Sequence, residues 1–343
     1  MIFFVLVVLF LLFLALLGLG YWISGLLLYA WRQPVTRTPE AYGLAYEDIT
    51  FQSSDGLVLK GWWIPAERTS DLEKQSPTVI VLHPMFGNRH GFSVQHQGWP
   101  RLFRTNVDLL KTVQGFHQAN YAVLVFDFRS HGESQSGRCA GGLNEDQDVV
   151  GAVDYVFSRM AAVSPASPPQ VGVVGFGLGA AAALAAVGRE KGSAETIRLF
   201  SGDTEGGVGW ISVPPPNIKM LRFLVAVQPA SLGVLVRGYL RQVSAPLNWV
   251  LVPLIDWLCQ WRGGYPLGAA FLLKFAREVN VPVLYIQARA DPWGGCGEVQ
   301  RLYDATPGPK QLWWIEEPLG RLEAYDYIGD HLGCVLAFAA QHL

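Results

Sequence analysis

The sequence predicts an α/β fold with a mostly parallel central sheet, helices on both faces, and one transmembrane helix in front. Three observations carry this reading. The first 31 residues of the 343 contain no charged side chain. Short, nearly continuous apolar runs recur at Thr78–Leu82, Tyr121–Phe126, Val171–Gly175, Met220–Val227, Val283–Gln287 and Gln311–Ile315. Strands covered on both faces of a parallel sheet read this way. Helical patterns fall between these runs, and that alternation defines the class. Val149, Val153, Val156 and Phe157 have the i, i+4, i+7, i+8 spacing of an amphipathic helix. Ala180 to Val187 is an alanine-rich helix able to pack closely on a sheet.

Residues 1–31 exceed the ~20 apolar residues needed to cross a bilayer core. A cleaved signal peptide would show a basic start, a shorter apolar stretch and a small-x-small cleavage site. The segment is therefore read as an uncleaved single-pass anchor whose partner is the lipid bilayer. Trp22, Tyr29 and Trp31 suit an interfacial aromatic belt. Arg32 and Arg37 follow at once, and positive charge tends to stay cytoplasmic. Residues 32–44, with Pro34 and Pro39, read as a stiff linker, and residues 45–343 as one domain.

Within that domain, Tyr46 to Ile64 reads as a hairpin turning at Ser54-Asp55-Gly56. Residues 192–217, rich in Gly, Ser and Pro, read as an insertion. Residues 232–276 are apolar and lie between two strands, as a cap over a site would. Pro246, Pro253 and Asp256 argue against a second span at Val243–Leu258. Trp249, Trp257 and Trp261 read as core or cap side chains. Net charge is −2 with no basic stripe, so nucleic-acid binding has no electrostatic support. Cys139, Cys259, Cys296 and Cys334 form no CxxC pair, so neither a zinc site nor a disulfide framework is expected. No metal or cofactor is expected.

One corner of the sequence points to a reaction class. Gly175-Phe176-Gly177-Leu178-Gly179 ends a strand and opens a helix. Leu82-His83-Pro84-Met85-Phe86-Gly87 follows a second strand, and Asp127-Phe128-Arg129-Ser130-His131-Gly132-Glu133-Ser134 a third. Asp291 follows a fourth, within Ala290-Asp291-Pro292. Together these segments, over roughly Tyr46 to Leu343, resemble the α/β-hydrolase superfamily in its esterase, lipase and S33-peptidase-like branches. The first resembles the Gly-x-Ser-x-Gly nucleophile elbow. The second is similar to the oxyanion loop, and the third to the family's Asp-x-Arg-x-x-Gly-x-Ser segment. A dinucleotide-binding turn is the alternative for the glycines, but the Gly-x-Gly-x-x-Gly spacing is missing.

The resemblance implies roles residue by residue. Gly177 stands where the catalytic serine would be. Asp291 stands at the acid position, and the amides of Met85 and Leu178 would form the oxyanion hole. The family's histidine belongs in the loop after the last strand, where Gly320 occupies the matching register. The next histidine, His331, is a candidate base, and Asp330 before it reads as the N-cap of a final helix from Leu332 to His342. Two triad positions reading glycine lead to the expectation of a hydrolase-fold pseudoenzyme acting as a binding or scaffold protein, with a small acyl or ester-like ligand. The alternative is an active hydrolase of ester or amide bonds using non-standard residues such as His331 and Asp291.

Overall fold

The structure is a computed structural model. It describes residues 1–67, 76–96, 105–163, 168–189, 196–198, 210–212, 217–263, 266–267, 270–294 and 296–343. Among the described residues, eight strands form the central sheet: β1 (Glu47–Gln52), β2 (Val58–Ile64), β3 (Thr78–Leu82), β4 (Ala122–Phe126), β5 (Val171–Phe176), β6 (Phe223–Val227), β7 (Val283–Ala288) and β8 (Lys310–Ile315). Their spatial order is β1-β2-β4-β3-β5-β6-β7-β8. β1 and β2 are the antiparallel hairpin expected from the turn signal, with Gln52 opposite Val58. β2 also runs antiparallel to β4, and every later pairing is parallel.

The interior strands are mostly apolar because both sheet faces are covered. Side chains alternate across the pleat. Ile80, Leu82, Leu124 and Phe126 enter one buried cluster, and Val79, Val81, Val123 and Val125 the other. Helices α2 (Leu110–Gln118), α3 (Asp146–Val163) and α4 (Leu178–Gly188) follow the hairpin region in chain order. α4 can lie hard against the sheet because it is made of alanine and glycine; a Cβ on Gly179 would sit 2.6 Å from the Leu82 carbonyl.

Between β6 and β7 lie α5 (Leu232–Ser244), α6 (Asn248–Gly263) and α7 (Ala270–Ala276), the segment expected to be a cap. α8 (Cys296–Ala305), α9 (Arg321–Asp330) and α10 (Gly333–His342) complete the chain. Residues 196–198 and 210–212 pair as two short strands in the expected insertion, whose remainder up to 216 lies outside the described residues. The run expected as a strand from Met220 begins as a short 3₁₀ turn, Asn217–Met220, with β6 proper starting at Phe223.

α1 (Ile2–Tyr29) is a candidate membrane span, about 42 Å long at 1.5 Å per residue. Residues 1–15 are exposed, and beyond them the helix packs on the domain. Gly20, Ser24, Leu27 and Leu28 are buried. A Cβ on Gly20 would lie 2.9 Å from Leu254 of α6, so glycine permits the close approach. Arg262 donates to the Tyr21 carbonyl at 2.8 Å and to Ser24 Oγ at 2.7 Å. The segment after α1 is also held: Asn88 Nδ2 donates to the Gln33 and Pro34 carbonyls at 3.2 and 3.1 Å. Arg32 donates to the Gly132 carbonyl and Ser136 Oγ, and Arg37 pairs with Asp108. Both arginines thus serve the fold as well as the charge balance beside α1.

One expectation is corrected and one is narrowed. Asp330 is not an N-cap: it ends α9 and pairs with Lys111, because the chain runs one helix further than the sequence pattern indicated. Of the two readings for Trp249, Trp257 and Trp261, core is excluded: they are 87%, 57% and 69% exposed on α6, within the segment expected to be a cap.

Candidate functional site

The strand β5, Gly177 and α4 make the strand-to-helix corner. Gly177 has φ +53° and ψ −103°, a conformation that strains any residue with a side chain. Its amide is anchored by donation to the Val227 carbonyl at 2.9 Å. The flanking glycines are required by approach distance. A Cβ on Gly175 would meet the Ala180 amide at 2.5 Å. A Cβ on Gly177 itself would point at the Tyr325 hydroxyl, 2.5 Å away. The corner has the form the sequence predicts, and the space where a nucleophile would project holds a phenol.

Behind the corner lies the His83–Gly87 loop. His83 Nδ1 donates to the Pro84 carbonyl at 2.8 Å, and its Nε2 accepts from the Phe128 amide at 3.0 Å. His131 Nδ1 donates to the Arg129 carbonyl at 2.9 Å, and its Nε2 accepts from the Phe86 amide at 3.3 Å. Both imidazoles are therefore neutral, single-tautomer struts. Burial pushes the His83 pKa down to about 4 and that of His131 to about 3. Asp127 accepts from the Arg89 and Glu133 amides at 2.7 and 2.9 Å, and Arg89 pairs with it through its guanidinium. Arg129 is clamped by Asp148 and Asp55. The Asp-x-Arg segment thus holds loops in place. Met85 and Leu178 both face the cavity described below. Leu178 opens α4, where a backbone N–H has no intrahelical acceptor.

Asp291 sits in the turn after β7. Its Oδ1 accepts from the Trp293 and Gly294 amides at 2.9 and 3.2 Å. Its Oδ2 accepts from Gln287 Nε2 at 3.2 Å and from Arg321 Nη1 at 2.6 Å. Side-chain exposure is 0% for Asp291 and 4% for Arg321, so this is a buried ion pair. Arg321 also donates to the Gln228 carbonyl, and Gln228 Nε2 returns a bond to the Arg321 carbonyl at 2.8 Å. Burial opposes the guanidinium charge, but Tyr325 and Asp291 outweigh it and raise the arginine pKa. Burial pushes the Tyr325 hydroxyl up to about 12, with Arg321 opposing.

The structure thus brings Gly177, Met85, Leu178 and Asp291 into one region, together with Arg321 and Tyr325. Gly320 is the N-cap of α9, in extended backbone; the side chain that meets Asp291 comes from the next residue. His331 lies elsewhere. It caps the end of α9, is exposed, donates from Nδ1 to the Tyr327 carbonyl at 3.0 Å, and stacks on the Tyr327 ring at 3.9 Å. Sequence reasoning missed Arg321 and Tyr325. The available signal was an acid position without a histidine partner, followed 30 residues later by an arginine.

A cavity of about 420 Å³ opens at the corner. Gly177, Met85, Leu178, Arg321 and Tyr325 form its floor. Leu19, Trp22, Ile23, Leu26 and Leu27 of α1 form one wall, and α5, α6 and the turn between them supply another through Leu235, Leu240, Leu247 and Leu251. Trp293 Nε1 donates to Gln242 Oε1 at 2.7 Å, fastening the Asp291 turn to α5.

Residues 79–336 match the alpha/beta hydrolase family, and the chain belongs to that family. YqkD of Bacillus subtilis is 25% identical over 209 residues, 60% of this chain and 58% of that protein. YfhR of Salmonella typhimurium is 31% identical over 148 residues, 43% of this chain and 42% of that one. The chain thus spans about half the length of the curated relatives it matches. Among solved structures, the Pyrococcus furiosus esterase Pf2001 superposes with a TM-score of 0.60 at 19% identity, covering 91% of this chain and 98% of the esterase. The Pyrococcus horikoshii acylaminoacyl peptidase gives 0.56 at 13% identity, covering 88% and 42%. At these identities the likeness is one of fold.

Proposed function

We propose that this chain is a membrane-anchored, non-hydrolytic α/β-hydrolase-fold protein whose cavity binds an acyl chain or a similarly apolar, ester-like ligand. The observation that carries the proposal is the side-chain exchange at the triad. Gly177 has no hydroxyl, Tyr325 fills the space in front of it, and Arg321 holds the acid. A guanidinium stays protonated and cannot accept a serine proton. Burial raises the Tyr325 pKa well above neutral and keeps the phenol protonated, so it is a poor substitute nucleophile. Hydrolysis through His331 and Asp291 is disfavoured by the position of the first and the saturated hydrogen bonding of the second.

The cavity supports the ligand class. Its volume falls within the roughly 300–1,000 Å³ typical of small-molecule pockets, and its walls are almost wholly aliphatic and aromatic. The Met85 and Leu178 amides offer donors to a carbonyl or carboxylate end. Retention of α1 as the anchor is supported by its place in the wall, since cleavage would strip five lining residues from the cavity. The charge bias of Arg32 and Arg37 favours a cytoplasmic domain.

A fluorophosphonate probe tests the chemistry. The purified chain is expected to remain unlabelled, as is Gly177→Ser, which lacks a base. Palmitate should raise the melting temperature of the wild type. Labelling of the wild-type chain at any serine, with ester turnover, would overturn the non-hydrolytic reading.

A further inference from the structure

The outer face of α6 is apolar, aromatic and close to α1. Trp249, Pro253, Trp257 and Trp261 recur every four residues along it and are all exposed. Trp257 and Trp261 stack with ring centres 6.3 Å apart and planes 7° from parallel. From Pro246 to Trp257 the exposed residues are Pro246, Leu247, Trp249, Val250, Pro253 and Trp257, none of them charged. Asp256 is turned to other work: it accepts from the Leu267 amide at 2.6 Å and from Gln260 Nε2 at 3.1 Å. Arg262 is spent on α1.

The lengths fix what this face meets. α1 and α6 run in the same direction along one another: Gly20 faces Leu254 and Leu258, Gly25 faces Arg262, and Leu28 faces Gly263. Only residues 1–15 of α1 stand clear of the domain, about 22 Å of helix. A hydrocarbon core is about 30 Å thick. For α1 to span it, roughly 8 Å more must enter, which takes in residues 16–20 and the part of α6 packed beside them. The N-terminal end of α6, with Trp249 and Val250, lies on the bilayer side of Leu254. A helix with an aromatic and aliphatic outer face is suited to a position about 5–10 Å into the headgroup and acyl boundary.

We propose that α6 from Asn248 to Trp257 is embedded in the bilayer interface beside α1, so that the cavity between the two helices opens at the level of the lipid chains. The occupant of the tryptophan face is the lipid surface, and the proposal rests on the reading of α1 as a membrane span. A ligand held in the cavity would then enter from the membrane without crossing water.

Nitroxide labels on the full chain in phosphatidylcholine vesicles test this. Cys296 and Cys334 are first replaced by serine, leaving the buried Cys139 and Cys259. Single labels go at Phe10→Cys in α1, Val250→Cys and Trp257→Cys in α6, and Arg301→Cys on the exposed side of α8. Labels at 10, 250 and 257 are expected to be relaxed by oxygen and shielded from a water-soluble nickel chelate, with the reverse at 301. Label 10 in lipid with 250 and 257 open to nickel would overturn the docking of α6 while leaving the anchor intact. Label 10 open to nickel would overturn both. Labels 250 and 257 shielded from both reagents would show a protein covering the face, and would also overturn the proposal. Because each label removes one side chain, Trp249→Ser with Trp261→Ser, read by label 250, gives an independent check: nickel access at 250 should rise.

Discussion

The two halves of the site are built by different means. At the elbow, glycine and backbone do everything: Gly175 and Gly179 are forced by approach distances of 2.5 and 2.6 Å to neighbouring main chain. At the opposite wall, side chains do everything: Asp291, Arg321, Gln228 and Tyr325 form a buried network. The backbone half keeps the shape of a hydrolase corner. The side-chain half places a guanidinium, which accepts no proton, on the carboxylate of Asp291. Fold geometry and reaction chemistry are thus separable, because sheet packing constrains the first and leaves the second free to change.

The largest effect should come from breaking the side-chain half. Arg321→Leu leaves the Asp291 carboxylate buried and unpaired, and should destabilise the fold by about 3–5 kcal/mol. Adding Asp291→Asn should recover part of that loss. Urea unfolding in detergent micelles measures both; a loss below about 1 kcal/mol for the single variant would mean the pair does not lock the site. Breaking the backbone half is expected to be milder. Gly179→Ala places a methyl against Leu82 and should cost about 1–3 kcal/mol by overpacking.

A third experiment joins the two halves. Gly177→Ser meets both a positive φ and the Tyr325 hydroxyl, for a loss of about 1–3 kcal/mol. In a Tyr325→Phe background the serine should be tolerated better by about 0.5 kcal/mol or more. Strict additivity in that cycle would show that the phenol does not press on the elbow.

The smallest effect at neutral pH concerns the struts behind the loop. The folded pKa of His131 is lowered from 6.5 to about 3, so as pH falls the unfolded chain takes up this proton first. Stability from this group is intact above pH 6.5 and drains away as pH falls towards 3. His131→Asn should therefore flatten the acid-side slope by up to ~1.4 kcal/mol per pH unit. Equal slopes in the two proteins between pH 4 and 6 would remove His131 from the account.

Much of the fold was legible in the sequence because its signals are local. An interior strand such as Thr78–Leu82 is apolar from its second residue on, and the hairpin announces itself through Ser54-Asp55-Gly56. The elbow glycines alternate within five residues of one turn. Asp291 follows its strand directly. The end of the chain was harder. The pattern before Leu332 hides a complete helix, α9, in which Arg321 and Tyr325 are one turn apart. The tryptophans of α6 left core and cap both open, because large aromatic residues usually bury and nothing in their spacing says which face a helix turns to water or lipid.

By itself the sequence determined the fold class, the candidate span and the absence of a serine hydroxyl at position 177, since each depends on composition or spacing within a few residues. Tertiary structure alone decided that Arg321 meets Asp291, that Tyr325 stands before Gly177 across 148 positions of chain, and that α1 walls the cavity. Those contacts arise when distant strand ends and helices converge on one edge of the sheet. Local propensity holds no record of such convergence.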